Sequence, residues 1–200
     1  MFYDYYEPDA AHIAAFLGEM ELGRLVTVSA DGTPHIGLYP FVARDETVEI
    51  HLNAADEQVV DLRAHPRCLF EVDDALGVIP SYWVHPENAV MATAYHRTVV
   101  LECRASIDAD PQAIAEQQGR LMARYQPEGG YRPIDPNDRM YTAMIAKLVA
   151  LTLDVRTVRA KFKLAQNRTE QQRSSVAHHL RTRGRVLDDR AAAAIESTLT

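Results

Sequence analysis

The pair Asp31-Gly32 lies between two segments of alternating apolar and polar residues, RLVTVSA and TPHIGLYPFV. Both residue types tolerate positive φ, so the pattern predicts a β-hairpin. In the first strand we expect Val26 and Val28 to face one side of the sheet, opposite to Leu25 and Thr27. A hairpin joins antiparallel strands, so the sheet is expected to begin with an antiparallel pair.

Further strands are predicted by five later segments rich in β-branched and aromatic residues: TVEIHLN, RCLFEVD, GVIPSYWV, AYHRTVVLECRASI and VALTLDVRTVRAKFKL. Few long connections separate consecutive strands, so the six or seven strands should pair mainly antiparallel. Closure into a barrel would remove exposed edges. The pattern therefore predicts an α+β protein with a small barrel or curled sheet, and does not distinguish it from an OB-like barrel.

Helices are predicted between and after the strands. Asp9 can cap a first helix, and Pro66 closes a helix over ADEQVVDLRAH. Asp110 precedes a helix with proline in its first turn. Thr169 and Gln172 have the spacing of a capping box, and the tail from Asp188 is Ala-rich and also predicted helical.

Length and composition predict a single domain over residues 1–200, with a C-terminal helical extension from about residue 168. No apolar run reaches about 18 residues, so no membrane span is expected. The start MFYDYYEPDAAHI lacks the basic-then-apolar order of a signal peptide, which predicts a cytoplasmic protein. Cys68 and Cys103 are interpreted as buried strand thiols.

The formal net charge of −7 disfavours a nucleic-acid partner, since phosphate contacts supply most of the affinity for DNA. Residues 156–185 are nevertheless rich in Arg and Lys. Two interpretations stay open for this segment, a solvated helix face and an anion-binding surface. A DNA-binding repressor would use the arginines near the C-terminus: Arg173, Arg181, Arg183 and Arg185.

The segments HLNAADEQVVDL, VIPSYWV and KFKLAQNR carry a family resemblance. They resemble segments of the PaiB-like family of FMN-binding negative transcriptional regulators. HLNAADEQVVDL is similar to the family's HFARANPQWKDL, VIPSYWV to its YVSPSWY, and KFKLAQNR to its KWKLSQNR. The resemblance implies an antiparallel split β-barrel related to pyridoxamine-phosphate oxidases, with peripheral helices. It also implies a homodimer in which FMN lies at the interface and contacts both chains.

Several positions depart from the family pattern. The Arg and Asn of HFARAN correspond to Ala54 and Asp56, which removes a phosphate-gripping guanidinium and adds a negative charge. The family's THLP corresponds to Gly37–Pro40, and its PTWNY to Ala92–His96. These changes remove a Thr, a His and a stacking Trp from the pattern.

The resemblance implies nine cofactor-binding candidates: His51, Tyr82, Trp83, Tyr95, His96, Lys163, Gln166, Asn167 and Arg168. Two pairs among these candidates also have a purely structural interpretation. Gln166 and Asn167 can form a turn before the Thr169 cap, and Tyr82 and Trp83 can pack at a dimer core.

Haem is the alternative cofactor, because iron needs only one or two imidazoles in an apolar cleft. If haem binds, His65, His96 and His35 are the candidate ligands. Relatives of this family include haem-binding split barrels, among them piperazate synthases, which close an N–N bond in N-hydroxyornithine. The residues thus leave three functions open: an FMN-binding redox or regulatory protein, a haem enzyme, and a DNA-binding regulator.

Overall fold

The structure is a computed structural model that describes residues 4–199. Their strands are β1 (Leu22–Val28), β2 (Pro34–Pro40), β3 (Val42–Arg44), β4 (Thr47–Asn53), β5 (Arg67–Ile79), β6 (Thr93–Asp108) and β7 (Leu148–Lys163). Their α-helices are α1 (Ala10–Glu19), α2 (Glu57–Ala64), α3 (Pro111–Tyr125), α4 (Thr142–Ile145), α5 (Glu170–Arg183) and α6 (Asp188–Glu196). Short 3₁₀ helices cover Asp4–Tyr6, Ser81–Trp83 and Ala89–Met91.

The strands form one sheet in the order β2-β1-β5-β6-β7-β4-β3. β1 pairs antiparallel with β2 and β5, and β4 pairs antiparallel with β3 and β7. The predicted hairpin at Asp31-Gly32 is confirmed, with Gly32 at φ +89° in the turn. Thr27 lies directly opposite His35 in this hairpin. The antiparallel α+β class predicted from the sequence is confirmed.

The prediction of two separate strands for RCLFEVD and GVIPSYWV is wrong. Arg67–Ile79 is one continuous strand, β5, and Ser81–Trp83 is a 3₁₀ helix. The strand continues through Asp73 and Asp74, where the Asp74 carboxylate is buried and bound by Arg97. Pro80 lacks an amide donor, and the strand ends immediately before it.

The described residues divide into two compact units. Unit 1 comprises the residues up to Ile13, Asp73–Val99 and the residues from Ala160 onward, and unit 2 comprises Ala14–Val72 and Val100–Arg159. β5, β6 and β7 each contribute residues to both units. The single domain over residues 1–200 stays a prediction.

Unit 2 has an aromatic core. Phe41 and Phe70 are fully buried and meet edge to face, with their ring centroids 5.3 Å apart. Leu25 is buried from the inner face of β1, while Val26 and Val28 lie on the more exposed face, as the alternation predicted.

Unit 1 ends in a pair of packed helices. The capping box of Thr169 and Gln172 begins α5, and Gly184 ends it in the left-handed conformation at φ +66°. Beside this pair, the ring of Trp83 stacks on His179 at 5.1 Å, and the guanidinium of Arg183 lies 4.9 Å from the centroid of the same ring. The predicted capping box is confirmed, and Trp83 packs against α5.

Candidate cofactor-binding sites

Three cations lie together in unit 1, at the end of β7 and in the turn that follows it. We call Lys161, Lys163 and Arg168 the basic cluster. Alternation along β7 places the two lysines on the same side of the strand. Lys163 Nζ donates a hydrogen bond to Thr93 Oγ1, and Arg168 Nη2 lies 3.4 Å from Met91 Sδ. Within residues 4–199 no carboxylate forms an ion pair with any of the three.

The pKa values of Lys163 and His96 are lowered in these surroundings. Burial lowers the pKa of Lys163, and the nearby charges of Lys161 and Arg168 lower it further. Burial also lowers the pKa of His96, with added repulsion from both lysines. The His96 ring is therefore favoured in its neutral form, with Nδ1 2.9 Å from Thr98 Oγ1.

A buried hydroxyl group adjoins the basic cluster. Tyr95 is only 3% exposed, and its Oη has no hydrogen-bond partner among the described residues. Burial raises the pKa of Tyr95 to about 12 even though the charge of Arg168 acts to lower it, so the phenol keeps its proton. A protonated donor beside unpaired cations is an arrangement suited to an anion.

Three other predicted cofactor-binding residues of unit 1, Gln166, Asn167 and Tyr82, are not brought to the buried hydroxyl group of Tyr95. Gln166 Oε1 accepts from the Leu164 amide at 2.7 Å, and its Nε2 donates to the Phe162 carbonyl at 2.6 Å. Gln166 therefore serves the turn, which the sequence had left open. Asn167 and Tyr82 are exposed, and Tyr82 is 67% accessible.

Predicted residues of unit 2 have different surroundings. His51 lies on β4 opposite Ala150, its Nδ1 is buried with no partner among the described residues, and burial lowers its pKa. Asp56 caps α2 by accepting from the Gln58 amide at 2.9 Å. The N-terminus of α2 is thus filled by a carboxylate of the chain itself, and the position equivalent to the family's Arg is Ala54.

Unit 2 contains a cavity of about 930 Å³. Part of its wall is apolar and is formed by Val26, Val28 and Leu69. His65, the residue that caps the C-terminus of α2, also lines the cavity. Three arginines and one glutamate from β5, β6 and β7 form the charged part of the lining: Arg67, Arg104, Arg156 and Glu102. Cys68 and Cys103 also line it; burial raises the pKa of each thiol to about 12, which keeps them protonated.

Only one of the three predicted iron ligands lines this cavity. His65 Nε2 lies 3.4 Å from Arg67 Nε at the cavity lining. His35 instead contacts α2, with Nδ1 2.8 Å from Asp61 Oδ2 and Nε2 3.6 Å from Glu57. His96 belongs to unit 1 and is described with the basic cluster.

Sequence reasoning missed the three cavity arginines and the buried contacts of Asp61. Alternation along β5 could have placed Arg67 and Leu69 on one face, since they are two residues apart. No local signal connects Arg104 and Arg156, because β6 and β7 are far apart in sequence. The buried carboxylate of Asp61 lies in what looked like a polar helix.

The sequence itself assigns the family. Residues 2–157 match the family model described as "Putative FMN-binding domain". The chain belongs to this FMN-binding family. The match contains Tyr95, His96 and the cavity lining, whereas Lys163 and Arg168 lie beyond its end. Among curated proteins, none matches this sequence.

Solved structures show the same fold. A FAD and haem binding protein from Mycobacterium smegmatis has a TM-score of 0.65 at 15% identity, with 80% of this chain and 74% of that chain covered. The flavocytochrome Anf3 from Azotobacter vinelandii has a TM-score of 0.63 at 18% identity, covering 82% and 72%. The conserved hypothetical protein Rv2991 from Mycobacterium tuberculosis has a TM-score of 0.62 at 23% identity, covering 84% and 92%. These similarities confirm the split-barrel fold.

Members of an FMN-binding family need a place for the cofactor's phosphate, and the chain offers two cationic regions. The basic cluster in unit 1 fits a phosphate, because its cations and the Tyr95 hydroxyl have no anionic partner among the described residues. The cavity of unit 2 fits a flat molecule with acidic groups, because apolar wall occurs together with three arginines against one glutamate. No helix within residues 4–199 has the length and apolar character needed to cross a bilayer.

Proposed function

We propose that this protein is a homodimeric split-barrel redox protein that binds FMN, with the FMN phosphate held by the basic cluster. The observation that carries the proposal is the buried Tyr95 hydroxyl, a hydrogen-bond donor with no partner among the described residues, two residues along β6 from Thr93, which binds Lys163. Bound FMN would supply one- and two-electron transfer. The roles of the chain's own residues are to bind the phosphate and to balance its charge.

Charge supports a phosphate rather than a neutral ligand. Lys163 and Arg168 carry positive charge that the described residues leave without an ion pair, and partly buried cations of this kind are unfavourable. A phosphate with up to two negative charges would relieve that repulsion and accept a hydrogen bond from the Tyr95 hydroxyl. The neutral His96 ring, 2.9 Å from Thr98, adds no charge to the site.

Homodimer formation is supported by an exposed apolar strand face in unit 2. On β2, Ile36 is 65% exposed and Leu38 is 54% exposed, and on β1 Val28 is 49% exposed. β1 and β2 are neighbours, and β2 is the first strand in the sheet order. These exposed side chains therefore lie on the two strands at one end of that order. An apolar edge of this kind favours pairing with a second copy of the chain.

The phosphate site is tested by replacing its cations. Lys163→Gln and Arg168→Gln are each expected to weaken FMN binding about 10- to 100-fold, the effect of losing one hydrogen bond to a charged group. Flavin fluorescence quenching measures the affinity. Lys147→Gln and Arg139→Gln are matched controls, because both residues are exposed.

Two further measurements separate the phosphate from the flavin ring. Riboflavin lacks the phosphate, so its affinity should be the same in wild type and in both variants. Tyr95→Phe should weaken FMN binding while leaving the free protein as stable or more stable, because its hydroxyl has no partner there. A protein that is colourless after purification and ignores added FMN would contradict the proposal.

Haem is the second candidate function, and the unit 2 cavity favours it. An imidazole, apolar wall, three arginines and the single carboxylate of Glu102 line one space of about 930 Å³, so cations outnumber anions there. An imidazole can ligate iron, and guanidinium groups pair with carboxylates such as those of haem. The piperazate synthase-like reaction on N-hydroxyornithine stays the substrate-level prediction for this candidate.

His65 is the ligand that this candidate requires. His65→Ala is expected to abolish the haem Soret band or shift it, measured by absorption after reconstitution with haem. His178→Ala is the control, since His178 is an exposed histidine of α5. An unchanged spectrum in the His65 variant would exclude it as the iron ligand.

Direct DNA binding draws little support from the predicted arginines. Arg173 binds the carbonyl of Thr198, Arg181 pairs with Glu196, and Arg183 pairs with Asp188. These contacts join the C-terminal residues to α5, so three of the four arginines are already engaged by the chain. The regulatory role therefore stays a prediction.

A further inference from the structure

A histidine and a buried carboxylate join the first hairpin to α2. Asp61 of α2 is 5% exposed, and its Oδ2 accepts a hydrogen bond from Thr27 Oγ1 at 2.7 Å. The same oxygen lies 2.8 Å from His35 Nδ1. Because Thr27 and His35 are directly opposite each other in the hairpin, one carboxylate is held by both strands.

Gln58 adds neutral contacts to the same junction. It is 2% exposed, and its Nε2 donates to the Leu25 carbonyl at 3.0 Å and to the His35 carbonyl at 3.2 Å. Its Oε1 accepts from the Tyr39 hydroxyl at 2.7 Å. The side of α2 that faces the hairpin is therefore attached by buried polar contacts, of which only the Asp61–His35 contact can carry a full pair of charges.

Asp61 also connects to the cavity through its backbone. The His65 amide donates to the Asp61 carbonyl at 2.7 Å, which closes the last turn of α2. His65 itself lines the cavity, and so do Val26 and Val28, the neighbours of Thr27 on β1. Asp61 thus contacts His35 through its side-chain carboxylate, and its backbone carbonyl accepts the hydrogen bond from His65, which lines the cavity.

The charged groups that face His35 are all acidic. They are Asp61 and Glu57 on α2 and Asp31 in the hairpin turn. The hydrogen bond to Asp61 raises the pKa of His35 above its ordinary value of 6.5, against a smaller effect of burial, and the other two carboxylates raise it further. The charged pair is therefore fully present below the ordinary value and is lost as pH rises through the raised pKa.

We propose that His35 is a positioning residue: its charged form holds α2 through Asp61 and so fixes His65 at the cavity. Loss of the His35 proton leaves the buried Asp61 carboxylate without a cation, which loosens the last turn of α2. Ligand binding that needs His65 in place then weakens at higher pH. The link to ligand binding rests on the haem candidate, whereas the effect on α2 does not.

The effect on α2 is tested in the free protein. Amide exchange of His65, measured by NMR, reports the bond to the Asp61 carbonyl. Its protection factor should fall roughly fivefold or more between about pH 6 and about pH 9. In His35→Gln, which keeps a donor but no charge, protection should be low and independent of pH. Equal pH dependence in wild type and His35→Gln would overturn the proposal.

Two more variants sharpen this measurement. Glu57→Gln removes an exposed carboxylate that faces His35, so the midpoint of the transition should move to lower pH. His12→Gln is the matched control, because His12 and Asp9 form an exposed pair on α1 with the same 2.8 Å contact. An unmoved midpoint in Glu57→Gln, or a shift in His12→Gln, would count against His35 as the titrating group.

Haem titration is the second arm. Wild type should bind haem less tightly at about pH 9 than at about pH 6 by a factor similar to the change in protection, and His35→Gln should show no such pH dependence. If wild type binds no haem at any pH, the haem candidate fails and the exchange measurement still decides the positioning role. Normal exchange behaviour with pH-independent haem affinity would overturn the link to the cavity.

Discussion

Replacing Asp74 by alanine is expected to destabilise the protein by about 3–5 kcal/mol, because it removes a buried carboxylate that binds two arginines. Asp74 is 5% exposed and Arg97 is 14% exposed. Arg97 donates to Asp74 Oδ2 through Nε at 3.1 Å and Nη2 at 2.6 Å, and Arg190 Nε lies 3.2 Å from the same oxygen. One carboxylate therefore serves two cations of unit 1.

Urea unfolding followed by circular dichroism measures this loss. The control is Glu196→Gln, which breaks the ion pair with Arg181 between α5 and α6. Both partners of that pair are more than 40% exposed, so the expected cost is at most about 1 kcal/mol. Similar costs for the two variants would show that burial does not set the strength of the Asp74 contacts.

Replacing Phe70 by alanine is expected to cost about 3–5 kcal/mol through the cavity it leaves in unit 2. Phe70 is fully buried against Phe41 at a ring distance of 5.3 Å. A Cβ added at Gly23 would lie 2.3 Å from Phe70 Cε1, so this ring fits closely against the β1 backbone. The surroundings have little freedom to collapse into the space.

The same urea measurement checks Phe70→Ala, with Val60→Ala as the control. Val60 is 60% exposed on α2, and its truncation should change the free energy of unfolding by no more than about 0.5 kcal/mol. Gly23→Ala should also destabilise the protein through its clash with the ring, and Phe70→Leu should relieve part of that cost. If the losses of unfolding free energy in Gly23→Ala and in Phe70→Leu simply add in the double variant, the close packing of the ring against Gly23 is contradicted.

Local signals predicted those elements whose geometry depends on adjacent residues. The turn at Asp31-Gly32 and the capping box at Thr169 both formed as expected, since each needs only a few neighbouring residues. The same locality explains the error at β5. Residue types alone divided this segment into two strands, and the partners of the buried Asp74 carboxylate, Arg97 and Arg190, are distant in sequence.

The candidate sites were predictable only in part, for the same reason. The motif around Lys163 and Arg168 was visible in one segment, and the structure joins it to β6, the strand of Tyr95, through the bond from Lys163 to Thr93. The cavity arginines come from three strands, and no spacing in the sequence connects them. The segment Gly37–Pro40 departs from the family's THLP. It includes Tyr39, whose hydroxyl donates to Gln58 of α2.

The chain has one tryptophan, and its position makes it an internal reporter. The indole of Trp83 contacts the imidazole of His179 and the guanidinium of Arg183, both carried by α5. Indole emission depends on the groups in contact with the ring, so separation of α5 from Trp83 is expected to change it. Fluorescence excited at the indole band is therefore expected to follow the contact between Trp83 and α5 without any label, and can be read while unfolding elsewhere is followed by circular dichroism.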